Sequence, residues 1–212
     1  PVYDGSIEII PKEEGLIIVN ELFLEKYLTR VVPSEMPATY EKEALKAQAV
    51  CARTYAWKQI QEQRLHEQEA DVDDTVNFQV YGNMEPQKAA TEAVRETEGQ
   101  ILCQNGEAVE AYYFSTSAGV TSTDEIWGSD EAAPYLRSVP CKFDEEEPWS
   151  SWIVELPWKM LEDRIREKGE GTVLRSVTVT RRSESGAATA LEAVSDKDSC
   201  IIENEYEIRK FL

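Results

Sequence analysis

Glu43-Ala44-Leu45-Lys46-Ala47-Gln48-Ala49-Val50-Cys51-Ala52-Arg53-Thr54-Tyr55-Ala56 is the stretch whose reading decides the fold. Leu45, Ala49, Ala52 and Ala56 recur at three- and four-residue spacing, as one face of an α-helix does, and the pattern runs from about Tyr40 to Arg64. Ala44, Ala47 and Cys51 widen that face with small side chains, which let neighbouring elements approach closely. The expectation is a long, buried, Ala-rich helix. Just upstream, Val31-Val32-Pro33-Ser34-Glu35-Met36-Pro37 carries two prolines four apart. Each lacks an amide donor and restricts the residue before it. They are expected to end a short helix, begun near Leu22, at about Arg30 and to hold Ser34 to Met36 in a stiff loop.

Working outward, Ser6–Ile10 and Gly15–Val19 read as strands around Pro11-Lys12-Glu13-Glu14. Pro86 suits the first turn of a second helix running to Glu98, with Ala90, Ala93, Val94 and Thr97 on one face and Gly99 as terminator. Gln100–Cys103 and Glu107–Phe114 flank Asn105-Gly106, a β-hairpin signal because a type I′ turn needs positive φ at both central positions. Leu156–Lys168 reads as helix, Ser176–Arg181 and Ala188–Val194 as a strand pair around Ser185-Gly186, and a short helix starts at Tyr206. The class is α+β, the long helix packed against mostly antiparallel strands, in a single domain over residues 1–212.

Composition narrows the function. The 212 residues hold 41 Asp and Glu against 22 Lys and Arg, a net charge of −19, which repels phosphate backbones and anionic headgroups. No apolar run reaches the ~20 residues that cross a bilayer. One histidine, His66, rules out a zinc site built on several imidazoles, and it reads as a solvated residue beyond the long helix. Cys51, Cys103, Cys141 and Cys200 contain no C-x-x-C pair and read as free thiols or as one or two disulfides.

Carboxylates are then the acid/base candidates, and position has to choose among them. Glu35 stands out between Pro33 and Pro37, beside Met36 and before the long helix. It reads either as an acid/base group against an apolar wall or as a favourable acidic residue near a helix start. Arg53 lies within the Ala-rich stretch and is not expected to be buried unpaired. It is either a structural ion-pair partner or a support for a carboxylate or substrate. Ser115, Thr116, Ser117 and Gly119 could present hydroxyls and amides to a sugar, or form an ordinary turn. Tyr81, Tyr112, Tyr113, Trp127 and Trp149 are candidates for stacking on sugar rings.

Read together, several of these segments resemble the SpoIID/LytB domain, the family of the sporulation stage II protein D. The resemblance is carried by Leu24–Leu28 leading into Val31–Pro37, by Glu43–Ala56, and by Gln79-Val80-Tyr81-Gly82. It continues through Glu92-Ala93-Val94, Thr97 and Gly99, then Ala111-Tyr112-Tyr113, Ser115-Thr116-Ser117 and Gly119-Val120-Thr121, and ends with Trp127 and Pro134-Tyr135-Leu136. It implies a lytic transglycosylase that cleaves peptide-denuded peptidoglycan between N-acetylmuramic acid and N-acetylglucosamine during engulfment in sporulation. Glu35 would be the general acid/base and Arg53 a second residue needed for activity. Gln79, Tyr81, Tyr113, Ser115, Thr116, Ser117 and Thr121 would bind substrate.

One carboxylate suffices for such chemistry, because the muramic acid C6 hydroxyl replaces the water or second carboxylate of ordinary glycosidases. Arg53 is therefore expected to contact substrate or a second carboxylate rather than clamp Glu35. The cleft is expected between Val31–Pro37, Gln79–Gly82 and Ser115–Thr121. The resemblance also implies an extracytoplasmic, wall- or membrane-associated protein whose anchor lies outside this sequence, with a cell-wall amidase as possible partner.

The sequence departs from the family in places. Asp73, Asn77 and Phe78 stand where some members carry zinc ligands, so neither zinc nor any cofactor is expected. Phe114 replaces a common histidine and Ala118 a common glycine, and no glycine- and histidine-rich segment precedes Leu212. These departures favour the alternative, a non-catalytic module that stimulates an amidase, whereas Glu35 and Arg53 favour the enzyme. The acidic charge gives no help in capturing a glycan that carries lactyl carboxylates.

Overall fold

The computed structural model describes residues 2–75, 78–122, 133–169 and 171–212. They form two compact units, Pro1–Tyr113 and Phe114–Leu212.

The first unit opens with an antiparallel hairpin, β1 (Ser6–Lys12) and β2 (Gly15–Glu21), with Ile9 opposite Ile18. Three helices follow: α1 (Leu24–Glu35), α2 (Lys42–Glu62) and α3 (Lys88–Glu96). Two short strands, β3 (Cys103–Gln104) and β4 (Glu107–Ala108), pair around Asn105 and Gly106, whose φ angles of 53° and 85° are those the I′ turn demands. The β-pairing covers two residues on each side, less than the expected Gln100–Cys103 and Glu107–Phe114.

Leu28, Val31 and Val32 of α1, Leu45, Ala49, Ala52 and Ala56 of α2, and Ala90, Ala93 and Val94 of α3 make one core. Alanine on the facing sides is what lets three helices approach this closely. The expected stripe of α2 is buried, Ala44 and Cys51 are half-buried, and Ala47 is exposed. The helix is thus buried along one broad face rather than on all sides.

The two prolines do not act alike, and this corrects the sequence reading. Pro33 lies inside α1, which runs on to Glu35, so Ser34 and Glu35 form its last turn and not a loop. The missing Pro33 amide costs one intrahelical bond. Complete burial of Leu28, Val31 and Val32 offsets that cost, and Met36 N still donates to Val32 O at 2.9 Å. Pro37 is the effective stop: Met36, just before it, is extended at φ −137° and ψ 129°.

Arg53 locks the helices together. Its side chain is 1% exposed, and Nε and Nη2 donate to the two oxygens of Glu25 on α1 at 2.7 and 2.8 Å. The remaining donors reach the end of α3 and the segment after it, Nη2 to Val94 O at 3.1 Å and Nη1 to Gln100 O at 3.1 Å. Of the two contacts expected for this arginine, substrate or a second carboxylate, the structure shows the second.

In the second unit, α4 (Trp158–Glu167) and α5 (Glu205–Phe211) accompany an antiparallel sheet. Its order is β5 (Leu174–Arg182), β6 (Ala188–Ser195), β7 (Ser199–Glu203). Leu161, Ile165, Leu191, Ile202, Ile208 and Phe211 are at its core. Strand β7 was not expected from sequence, because Cys200-Ile201-Ile202 is too short an apolar run to separate from a loop. The Asn204 side chain caps α5 by accepting from Glu207 N at 2.9 Å. All four cysteines are free thiols, with Cys103 exposed and the others half-buried.

Replacing Arg53 by Lys keeps the charge but not the fork that serves a carboxylate and two carbonyls together. Urea denaturation of Arg53→Lys is expected to show a loss of about 2 kcal/mol, from guanidinium hydrogen bonds that an ammonium does not replace. A loss below about 1 kcal/mol would contradict this role for the pair.

Candidate active site

Glu35 ends α1 half-buried, at the helix terminus that favours cations rather than anions. Its setting is built by the segment Gln79–Gly82. In extended backbone, amides two residues apart point the same way. Val80 N donates to Glu35 Oε1 at 2.8 Å, and Gly82 N to Ser34 Oγ at 3.1 Å. Ser34 Oγ in turn donates to Arg30 O at 2.7 Å, one turn back. A Cβ on Gly82 would sit 3.1 Å from Ser34 Oγ, so the close approach of this segment suits glycine.

The Tyr113 phenol feels the charge of the Glu35 carboxylate. Burial raises the Tyr113 phenol far above its ordinary pKa; the Gln79 hydrogen bond opposes this, and the Glu35 carboxylate adds to it. Gln79 is 1% exposed and fully engaged. It accepts from Tyr27 Oη at 3.3 Å and donates through Nε2 to Ala52 O at 3.3 Å and to Tyr113 Oη at 3.2 Å. Tyr27 and Glu35 are eight residues apart on α1 and share its face.

Among the described residues no Lys, Arg or His lies within ion-pair distance of Glu35. Other carboxylates of this unit are neutralised: Glu25 by Arg53, and Asp4 by Arg30 at 2.8 Å. The Arg30 guanidinium beside Asp4 holds that carboxyl below its usual range.

The sequence candidates therefore divide. Gln79 and Tyr113 are hydrogen-bonded to each other, and the amide next to Gln79, that of Val80, holds Glu35. Arg53 belongs to a separate ion pair with Glu25 and shares no hydrogen bond with Glu35. Tyr81 stacks on Tyr27, ring centroids 5.5 Å apart, and its buried hydroxyl has no partner among the described residues. Tyr112 is exposed, its phenol pushed up to about 12 by burial and then by Glu110.

In the second unit, Ser115 is exposed and Thr116 half-buried, while Ser117 and Thr121 are spent on the loop itself. Ser117 donates through N and Oγ to Asp144, and Thr121 pairs with Val139 through Oγ1 at 3.0 Å and N at 2.9 Å. Trp149 is exposed, and Trp127 and Asn77 lie outside the described residues.

A cavity of about 1030 Å³ lies by the β1–β2 hairpin and is lined by Ile17, Val19, Leu24, Tyr27, Ile60 and Tyr81, among others. Glu35 does not line it. No set of three or more His, Cys, Asp or Glu side chains among the described residues is grouped as a metal site requires. No helix of the described residues is long and apolar enough to cross a membrane.

Sequence reasoning passed over Tyr27, Ser34 and Glu25 as site residues. All three lie in stretches it singled out. What hid them is that their partners, Gln79, Gly82 and Arg53, are 28 to 52 residues away.

Comparison with known proteins relates the chain to a family. Residues 12–103 match the family model described as stage II sporulation protein, a span holding Glu35, Arg53 and Gln79. Stage II sporulation protein D of Bacillus subtilis is 40% identical over 144 residues, covering 61% of this chain and 42% of that protein. An uncharacterised protein of Brachyspira hyodysenteriae is 33% identical over 195 residues, 90% of this chain and 51% of the relative. An amidase enhancer of Bacillus subtilis is 37% identical over 138 residues, 65% of this chain and 18% of the relative. The chain is thus similar to the SpoIID family over residues 12–103, and it spans about half or less of the length of these relatives.

The Asp144 carboxyl is held below the usual aspartate range, first by the Ser117 amide, with burial opposing. A depressed folded-state pKa favours the structure above the ordinary aspartate value and loses that contribution as pH falls through the lowered one. Hydrogen exchange at Ser117 N, corrected for intrinsic rate, is expected to stay protected at mildly acidic pH and to lose protection only below the ordinary aspartate range. Loss of protection already near neutrality would contradict the assignment.

Proposed function

We propose that this chain is the catalytic portion of a lytic transglycosylase acting on peptidoglycan glycan strands, with Glu35 as its general acid/base. The observation that carries the reading is a half-buried carboxylate held by a neutral donor, the Val80 amide at 2.8 Å, with no cation within ion-pair distance among the described residues. Such a group is positioned without being neutralised, so it is available to exchange protons.

The reaction closes on that one group. Glu35 gives its proton to the glycosidic oxygen as the bond to the muramic acid C1 breaks. The C6 hydroxyl oxygen forms the new bond to C1, and its proton returns to Glu35. The product is a 1,6-anhydro ring, no water is consumed, and the glutamate ends the cycle as it began. Arg53 supports this at a distance by fixing α1. Ser115, Thr116 and Tyr81 are proposed sugar contacts, and Ser117 and Thr121 shape the segment that carries the first two.

The family and the sporulation relatives support a role in spore formation. The amidase-enhancer relative supports a wall amidase as partner, with an extracytoplasmic location for the intact protein. That relative also motivates a second reading, in which the domain stimulates an amidase without cleaving glycan. Glu35→Gln separates the two: it preserves the size of the side chain and an oxygen that can accept from the Val80 amide, but removes the proton exchange. Circular dichroism and melting temperature are expected to stay near wild type, while release of anhydromuramic products from peptide-free strands falls by at least ~10³-fold. Cleavage by Glu35→Gln at the wild-type rate would remove Glu35 from the mechanism. Undiminished amidase stimulation with no cleavage by either form would favour the second reading.

A further inference from the structure

Strand β2 has a free edge. On one side it pairs with β1, in a register that runs without a shift from Gly15 to Glu21. On the other side it makes no backbone hydrogen bond among the described residues. Native sheets guard such an edge with lysine, proline or a bulge. Strand β1 carries Pro11 and Lys12, whereas Leu16-Ile17-Ile18-Val19 of β2 has none of these devices. An unguarded edge is a template for one more strand.

The space beside it is the cavity of about 1030 Å³. Residues 17–21 of β2 line it without a gap. Side chains of a strand alternate between its faces, so five consecutive lining residues bring the edge itself, and not one face, to the cavity. The hairpin is tied to the rest of the unit near its two ends. Asp4 pairs with Arg30 at 2.8 Å, and Lys12 Nζ reaches Glu67 O at 3.1 Å and Glu69 Oε1 at 3.4 Å. From the helices, Leu24, Tyr27, Ala56 and Ile60 give the cavity apolar wall.

Charge selects the occupant. Glu8, Glu21, Glu69, Asp71, Asp73 and Asp74 line the cavity, and among the described residues no Lys, Arg or His does. Lys12 offsets Glu69. Such a wall repels a second copy of this chain, at −19, and a glycan with lactyl carboxylates, and it attracts cations. Asn20 Oδ1, on another lining residue, is buried without a partner among the described residues. An amide oxygen only accepts, so it too calls for a donor.

We propose that the free edge of β2 takes up, as an added strand, an extended segment of a partner protein that alternates aliphatic and basic residues. The segment's backbone extends the sheet, its aliphatic side chains enter the cavity beside Tyr27 and Ile60, and its lysines or arginines meet the carboxylates. The proposal is independent of the acid/base role of Glu35, which does not line the cavity.

The probe is a capped heptapeptide alternating lysine and valine, titrated into the ¹⁵N-labelled full chain at low ionic strength. It is expected to bind with a Kd below about 1 mM and to shift the amides of Leu16–Glu21 more than those of β5. A peptide with glutamate for lysine, and one with its central amides N-methylated, are each expected to bind at least ~10-fold more weakly, the first for want of charge and the second for want of ladder donors. Asp71→Lys, on an exposed residue, is expected to weaken the lysine peptide at least ~3-fold without changing the circular dichroism.

No binding of the lysine peptide by about 1 mM, or shifts that spare Leu16–Glu21, would overturn the proposal. Equal affinity for the glutamate or the N-methylated peptide would overturn it too. Shifts of the same amides that grow with protein concentration alone would give the edge to a second copy. Tyr81, a proposed sugar contact, also lines the cavity, so peptide-free glycan strands are titrated in parallel. The same shifts with glycan would give the edge to the sugar, and either result would overturn the partner strand.

Discussion

The ion pair between Arg53 and Glu25 is the constraint on which the arrangement of the first unit depends. A guanidinium buried this deeply is stable only with all of its donors used, and here they go to one carboxylate and to the end of α3. The pair therefore fixes the rotation of α1 about its axis as well as its distance from α2. Glu25 and Glu35 stand ten residues apart on one uninterrupted helix, about 15 Å at 1.5 Å per residue. Rotation fixed at the first turn is rotation fixed at the last. Arg53 can thus be essential to a site whose carboxylate it does not touch.

The same logic assigns different duties to acidic residues of one unit. Glu25 and Asp4 are paired with arginines and hold elements together, while Glu35 is held by a backbone amide, that of Val80. Neutral donors orient a carboxylate without offering a counter-charge, and they discriminate between its protonated and ionised forms mainly through hydrogen-bond strength. In a chain with 41 acidic side chains, that difference in company separates Glu35 from the paired carboxylates. It is a property of packing.

Much of the scaffold was legible because local rules sufficed. The Leu45–Ala56 stripe gave α2, Asn105-Gly106 gave its turn, and the Ile- and Val-rich runs Ser6–Ile10 and Gly15–Val19 gave the first hairpin. What failed was the proline rule at Pro33. The restriction it imposes is real but worth only a few kcal/mol, and the burial of three large aliphatic side chains on α1 outweighs it. At Pro37 no such burial opposes the rule, and the helix stops. The candidate site was half legible. Glu35, Gln79 and Tyr113 were named, but the bonds from Val80 to Glu35 and from Gln79 to Tyr113 join distant segments, which periodicity does not encode. Substrate contact was assigned to Gln79 on its motif alone, and burial gives that side chain an internal duty.

The central claim is that one glutamate and the sugar's own hydroxyl complete the reaction without water. Mass spectrometry of the products formed by the intact chain from peptide-free glycan strands, in water enriched in heavy oxygen, tests it most directly. The account predicts muramic acid ends lighter by one water than reducing ends and free of solvent oxygen. Reducing ends carrying the heavy isotope would mean that water is the nucleophile, and would contradict it.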